Sequence, residues 1–421
     1  MKTFITAILR FLGKHIIQKY HPEVIGITGS VGKTGVKEAA RQILSRQFRV
    51  YASTDSYNTD IGVALTILGE KSPGHSLTGW LRVIARGARL WLLRSSQYPE
   101  IVLLEMGADR PGDIQHLTAA APCSVGVVTA ITPVHLSTFK TVEKIARETR
   151  AVITHLPRTG IAVLNRDDEL VHRMQGKTDA DIITFGFHAD ADVRGSDVQF
   201  RVDSDTGWPA GIQCKVTSKG SMVPLYIPGV VGEQAVYAVL AAIAIALSQG
   251  MNLVEISKAV QRLDLPPGRM RLIPGIKDTL LLDDTYNASP ASVRAAIETL
   301  SQISVHAGAR RCVVLGDMLE LGKYTDDAHR EAGLRIAEHE FDLALFVGEA
   351  MKTAARAARE AGMEETRAVS FSHQGDAGRF LQEWLRQGDV VLVKGSRAMR
   401  MEAVVKEVMA SPLHAQELLV H

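Results

Sequence analysis

The sequence predicts an α/β protein in two successive parts: a central domain on a parallel sheet with a small antiparallel insertion, then a Rossmann-like C-terminal domain. Three observations predict it. Between residues 23 and about 190, short β-branched runs (EVIGIT, EIVLLEM, SVGVVTA, GIAVLN) alternate with longer helical periods, the pattern of a doubly wound parallel sheet. Residues 192–227 change to alternating strands punctuated by Gly, Pro and Asp, the pattern of an antiparallel insertion. After PPG at 266–268 a second alternating series begins, with TLLLDD, RCVVLGD, DLALFVG and DVVLVKG each ending in a glycine or an acid. The expected divisions are 1–22, 23–266 and 267–421.

A chain of 421 residues with 46% hydrophobic content can bury a sizeable core, as two or three domains. Lys plus Arg number 48 against 46 acids, so a net charge of +2 gives no argument for a nucleic-acid partner. Cys123, Cys214 and Cys312 lie too far apart for a metal-ligand spacing and are odd in number, which fits a reducing cytoplasm.

Residues 1–20 put Phe4, Ile5, Ile8, Leu9, Leu12 and Ile16 on one helical face. Arg10 and Lys14 break the apolar run well short of the roughly 20 residues that a membrane span needs, and no small-residue cleavage site follows. This face either packs on the first domain or lies in a membrane interface.

VIGITGSVGKTGVKEAARQIL (24–44) then sets a strand against a glycine turn and a helix. The strict phosphate-loop string has a glycine where this chain has Ile27, so the match is to the shorter Gly29-Ser30-Val31-Gly32-Lys33-Thr34. Its physics is intact. The glycines let backbone N–H groups converge, the helix N-terminus adds positive potential, Lys33 reaches outer phosphates and Thr34 can ligate magnesium. Farther on, residues 79–94 carry Arg82, Arg86, Arg89 and Arg94 without an acid, while Leu81, Ile84, Ala88, Trp91 and Leu92 share a face. That face is expected to pack on the central domain, with a membrane-surface contact as the alternative. LLEMGADRPGDI ends an apolar strand at Glu105, where a carboxylate beside a triphosphate would hold magnesium. TPVHLSTF places His135 at a similar exit, and LLLDDTYNASPASV sets Asp283, Asp284, Tyr286 and Asn287 before a helix.

GITGSVGKT, NTDIGVALTIL, EMGADRPGDI, AVLNRDDE, DDTYNASP, VLGDMLELG and LVKGSRAMRME together resemble the motifs of the Mur ligases, in order from about residue 23 to 410, and most nearly the MurF branch. The resemblance implies ATP-dependent amide formation, in which a substrate carboxylate takes the γ-phosphate and an amine attacks the acyl phosphate. It assigns Thr28, Gly29, Ser30, Val31, Gly32, Lys33, Thr34, Asn58, Asp284 and Asn287 to the nucleotide, and Thr34, Glu105 and His135 to Mg2+. Lys33, Glu105, His135 and Arg269 of PPGRM become the catalytic set. Lys394, Ser396 and Arg397 of VKGSR become candidates for the carboxylate of the incoming amine substrate, for which arginine is suited by bidentate pairing. His329 in DDAHR is left between a helix-surface role and a functional one.

The chain departs from the family pattern in four ways. The separate N-terminal domain that holds a uridine nucleotide is not in the sequence, which starts about 23 residues before the loop. Thr149 stands where the family has a carbamylated lysine, Gly35 follows Thr34 where Ser or Thr is usual, and Gln234-Ala235 replaces a His-Asn pair. The leading expectation is a cytoplasmic, monomeric ligase joining D-alanyl-D-alanine to a muramoyl-peptide carboxylate in peptidoglycan precursor synthesis. The alternatives are the same chemistry on another acceptor, such as a poly-γ-glutamate-type chain, and a non-catalytic ATP-binding partner of an active ligase.

Overall fold

The structure, a computed structural model, describes residues 2–53, 57–133, 136–305 and 308–420. Its contacts divide the chain into two units: Met1–Asp197 with Cys214–Leu225 and Val236–Leu263, and Val198–Gln213 with Tyr226–Ala235 and Asp264–His421.

Strands β1 (Glu23–Thr28), β2 (Val50–Ala52), β3 (Ile101–Glu105), β4 (Val125–Val128), β5 (Ile161–Asn165), β6 (Asp181–Gly186), β7 (Val193–Val202), β8 (Pro209–Ser218) and β9 (Ser221–Pro228) form one sheet. Its order is β2-β3-β1-β4-β5-β6-β7-β8-β9, and every pairing from β2 to β7 is parallel. Strands β3 and β4 are buried along their whole length, as strands covered on both faces must be. The insertion behaves as its Gly and Asp turns require. Lys219 and Gly220 link β8 to β9 with φ of 48° and 77°, the two-residue primed turn of an antiparallel hairpin. Because β1 pairs with β3 on one side and β4 on the other, the loop after β1 opens at a switch point of the sheet.

The first unit begins with helices α1 (Lys2–Tyr20), α2 (Lys33–Leu44), α3 (Asp60–Leu68) and α4 (Leu77–Leu92). Ile5, Leu9, Leu12 and Ile16 of α1 are buried in the same core as Leu65, Leu68 and Val83. Those four residues of the predicted apolar face are therefore taken up by packing, while the side chain of Phe4 lies outside the described ones and Phe11, off that face, is exposed. The expectation for 79–94 is corrected in the opposite direction. Val83 and Gly87 form the buried face of α4, whereas Leu81 and Leu92, expected inside, are 60% and 70% exposed. The reason is steric: a Cβ on Gly87 would stand 2.8 Å from Leu12 Cδ1, so the glycine edge of α4 is the one that can meet α1 closely.

In the second unit, β10 (Arg271–Gly275), β11 (Thr279–Asp284), β12 (Arg311–Gly316), β13 (Leu343–Val347), β14 (Ala368–Phe371) and β15 (Val390–Lys394) form a sheet of order β10-β11-β15-β12-β13-β14. Only the β10–β11 pair is antiparallel. Side chains alternate between two cores: Leu282, Val313 and Leu392 pack on one face under helices Pro290–Gln302 and Thr325–Glu338. Leu281, Val314 and Val391 pack on the other, under Gln374–Trp384 and Glu402–Val408. Strand β15 enters between β11 and β12, which brings the carboxyl ends of all three together.

Candidate active site

The loop after β1 has the geometry that an anion needs. Gly29 and Gly32 lie at φ 134° and 88°, and Gly32 precedes the twelve-residue α2 without a side-chain cap, the helix N-terminus where an anion is favoured. A Cβ on Gly29 would overlap Thr129 Oγ1 and crowd the Ala130 backbone at 3.1 Å. The residues after β4 brace the loop from that side. Ser30 N–H donates to Ala130 O (2.7 Å), Thr129 Oγ1 donates to Val31 O (2.5 Å) and Ser30 Oγ donates to Thr132 O (3.2 Å). Thr28, the last residue of β1, is buried and accepts Thr129 N–H on its carbonyl (3.0 Å). Lys33 folds back so that Nζ donates to Gly29 O (2.5 Å), across the loop it would serve.

Glu105 ends β3 opposite Ile27 and is 3% exposed. Its Oε1 accepts from Thr34 Oγ1 (3.2 Å), while Oε2 is buried and accepts no hydrogen bond among the described residues. The Thr34 hydroxyl beside the Glu105 carboxylate is a hard oxygen donor pair, and it fits Mg2+, which takes one or two carboxylates and completes its shell with phosphates and water. No cluster of three or more His, Cys, Asp or Glu side chains suited to a metal occurs among the described residues. His135, the remaining expected metal ligand, lies outside them. Asn58 sits at the exit of β3: its carbonyl accepts Gly107 N–H at 3.1 Å, and Gly107 has no room for a Cβ against the Asn58 amide.

Sequence reasoning missed Lys37. It lies one turn after Lys33, is 1% exposed, and sets Nζ 3.5 Å from Glu105 Oε2 and 3.2 Å from Ser53 Oγ. An i, i+4 repeat of lysine across the start of α2 was the available signal. AVLNRDDE matches the family as a string with no role for its residues, and the structure supplies those roles. Asn165 Nδ2 donates to Thr129 O (2.8 Å), and Asp168 accepts Ile131 N–H (2.7 Å), so both fix the brace behind the phosphate loop. Thr149 is buried, and its hydroxyl donates to Ile145 O of its own helix (2.9 Å).

In the second unit, Arg269 follows Gly268, whose N–H donates to Asp283 Oδ2 (3.0 Å) and whose carbonyl accepts Tyr286 N–H (3.0 Å). The guanidinium stacks over the Tyr286 ring at 4.1 Å, and its buried Nε has no hydrogen-bond partner among the described residues. A stacked guanidinium with an unused donor is chemically suited to a phosphate. Asp283 is fully buried, and desolvation pushes its carboxyl up to about 6 against the lowering effect of hydrogen bonds from Thr285 and Gly268.

The other expected residues of this unit divide sharply. Lys394 is 2% exposed and donates to Asp284 Oδ2 (2.6 Å) and to Asn287 O (2.8 Å), so its ammonium and the Asp284 carboxylate are engaged with each other. Asn287 Oδ1 accepts Ala288 N–H (2.9 Å). Ser396 is buried and accepts Leu319 N–H (2.9 Å). Arg397 alone of the VKGSR trio is accessible, held at 3.0 Å by Glu402. The sequence set all three on a ligand carboxylate, and the structure brings two of them into the protein's own framework. His329 is buried, not on the helix surface. Its Nε2 accepts Met318 N–H (3.0 Å) and its Nδ1 faces Thr325 O (2.7 Å), which fixes the proton on Nδ1 and pins the VLGDMLELG loop.

The chain has counterparts among known proteins over both units. The Mur ligase middle domain matches residues 86–246, and the Mur ligase, glutamate ligase domain matches residues 268–397. The UDP-N-acetylmuramoyl-tripeptide--D-alanyl-D-alanine ligase of Synechocystis sp. is 30% identical over 398 residues, 93% of this chain and 76% of the relative. The chain belongs to the Mur ligase family. The enzyme of the same name from Bacillus subtilis is 29% identical over 96% of this chain and 80% of its own length. Among solved structures, MurF from Acinetobacter baumannii superposes with a TM-score of 0.78 at 25% identity, over 95% of this chain and 79% of that one. MurF from Thermotoga maritima in complex with ADP gives 0.73 at 23% identity, over 98% and 84%, a likeness of fold.

Proposed function

We propose that this chain is an ATP-dependent amide ligase of cell-wall precursor synthesis, joining D-alanyl-D-alanine to a muramoyl-peptide carboxylate as the similar MurF enzymes are named for doing. The observation that carries the reading is the buried Glu105 carboxylate beside Thr34, at a glycine-loop helix without a side-chain cap. ATP, when bound, supplies the γ-phosphoryl group that converts the carboxylate to an acyl phosphate, and the amine then displaces phosphate. The residues here bind and align. The N–H groups of 29–34 and Lys33 hold the phosphates, Thr34 and Glu105 present oxygens to Mg2+, and Arg269 offers a fixed guanidinium to developing charge. On this reading the protein works in the cytoplasm as a monomer on small-molecule substrates, and Asn58, Asp284, Asn287 and Arg397 serve nucleotide and amine substrate.

Incubating the protein with ATP, magnesium, a muramoyl tripeptide precursor and D-alanyl-D-alanine should give a new amide by mass, and Lys33→Ala should abolish it. ADP release driven by a different amine would move the chain to another acceptor. Thr149, whose hydroxyl is turned into its own helix, favours a second reading, a nucleotide-binding partner without turnover. Nucleotide binding with no amine-dependent phosphate release would select that second reading.

A further inference from the structure

Half of the large hydrophobic residues that stand exposed among the described residues lie on two packed helices of the first unit and the link after them. Phe11, Leu77, Leu81, Trp91, Leu92 and Leu93 are 40% to 70% exposed, whereas the others are scattered singly. At 3.6 residues per turn, Leu77, Leu81, Ala85, Ala88 and Leu92 fall in one stripe about 80° wide. Arg82, Arg86 and Arg89 occupy the next sector, and the buried Val83 and Gly87 lie on the opposite side. Helix α4 thus has three faces: one into the core, one apolar and exposed, one cationic.

We propose that this face of α4, with Phe11 and Leu93, docks peripherally on an anionic lipid surface. Charge selects the occupant. Residues 71–94 carry Lys71, Arg82, Arg86, Arg89 and Arg94 and no acid. Glu70 offsets part of this, at 3.8 Å from Arg82 and 3.4 Å from Arg86, but Arg89 and Arg94 have no ion-pair partner among the described residues. A second copy of so cationic a face would repel the first, whereas anionic headgroups attract it while the leucines enter the acyl boundary. Trp91, packed edge-on against Phe11 at 5.5 Å, is the residue type that favours the headgroup level. No helix among the described residues is long and apolar enough to cross a membrane, so the contact is parallel to the surface.

The helix is also held ready. Lys19 Nζ donates to Leu90 O (2.9 Å) and Trp91 O (2.8 Å), and Tyr20 OH donates to Leu93 O (2.9 Å). The end of α1 thereby satisfies the free carbonyls at the end of α4, with a cation where the helix dipole is negative. Binding then needs no folding of the segment.

The test is co-sedimentation of the purified chain, without ATP or precursor, with phosphatidylcholine vesicles containing or lacking phosphatidylglycerol. Because nucleotide and substrates are absent, its outcome is independent of the ligase reading. Each basic residue near an anionic surface contributes about fivefold in affinity, so Arg89 and Arg94 together give a preference of about twenty-five-fold for the anionic vesicles. Arg89→Gln with Arg94→Gln should remove most of that preference, and Leu81→Asp with Leu92→Asp should abolish binding to both. Trp91→Phe should delete the blue shift of tryptophan emission on lipid addition. The altered side chains are at the surface, so an unchanged melting temperature verifies each variant. Equal partition to both vesicle types, no partition at all, or lipid-free self-association that Leu92→Asp abolishes would each overturn the proposal.

Discussion

Replacing Lys37 by Met is the sharpest probe of how the candidate metal carboxylate is held. The ammonium is 1% exposed and lies 3.5 Å from a carboxylate that is 3% exposed, with the Ser53 hydroxyl on its other side. Methionine keeps nearly the same volume and removes the charge, so the loss is electrostatic and not a cavity. An uncompensated carboxylate in such a site costs about 3–5 kcal/mol. For a unit of this size that lowers the melting temperature by roughly 6–20 °C. In the double variant Lys37→Met/Glu105→Leu both charges are gone, and most of the loss should return, because an apolar pair replaces a buried ionic one at little net cost. Magnesium with ADP should restore part of the stability of Lys37→Met and none of that of the double variant, since only the former retains the carboxylate. Urea unfolding of the four proteins of this cycle, with and without Mg·ADP, measures all of it. A single variant within about 1 kcal/mol of the parent, or a double variant no better than the single, would refute the assignment of Lys37 as the counter-charge of Glu105.

Asp283, raised from 3.8 to about 6, binds its proton more tightly folded than unfolded. Its contribution is full below about pH 4 and lost as pH rises through about 6, a fall of order 3 kcal/mol that urea titration of the second unit should record and that Asp283→Asn should flatten. Burial pushes the thiols of Cys123 and Cys214 up to about 12 and about 11, and that of Cys312 well above its usual value. None of the three should react with a maleimide at neutral pH until denaturant is added, by mass of the native and unfolded protein. Gly29→Ala should be worse than Gly32→Ala. Both sit at positive φ, but the new methyl meets Thr129 and the Ala130 backbone at position 29 and only a contact of 3.8 Å at position 32. Gly32→Ala should cost about 1–2 kcal/mol and retain weak nucleotide binding, whereas Gly29→Ala should lose binding outright, by calorimetry.

The alternation of buried β-branched runs with helical periods was enough to read the parallel parts of both sheets, because a strand covered on both faces has no polar positions to confuse the pattern. The phosphate loop was legible for the same reason: its glycines, lysine and threonine are contiguous and their roles are backbone roles. What the sequence could not show is which charges meet over long separations. Lys394 and Asp284 are 110 residues apart and neutralise each other at the shared edge of β15 and β11. Ser396 and Leu319, 77 apart, join two motif loops that looked independent. Nothing in the motifs themselves signals that Lys394, Asp284 and Ser396 also act as internal ties. The face of α4 was misread because apolar periodicity reports amphipathicity and not which flank meets the core; the glycine at position 87 settled that.

The same distinction bears on the departures from the family pattern. Gly35 admits Ala238 closely, its Cβ position lying 3.3 Å from the alanine Cβ, so a small-residue contact stands where a hydroxyl is usual. Thr149 binds its own helix and brings no anion. The loop backbone and Lys33 depend on neither position, so nucleotide affinity should tolerate the departures. If, as the family resemblance implies, the Thr149 position is where an anionic metal ligand would stand, metal-assisted turnover should fall by on the order of 10²–10³, the cost of losing one preorganised group at a reacting centre. Affinity and rate should therefore separate on this reading, with near-normal nucleotide affinity by calorimetry beside slow amine-dependent phosphate release; slow release together with lost nucleotide binding would refute it.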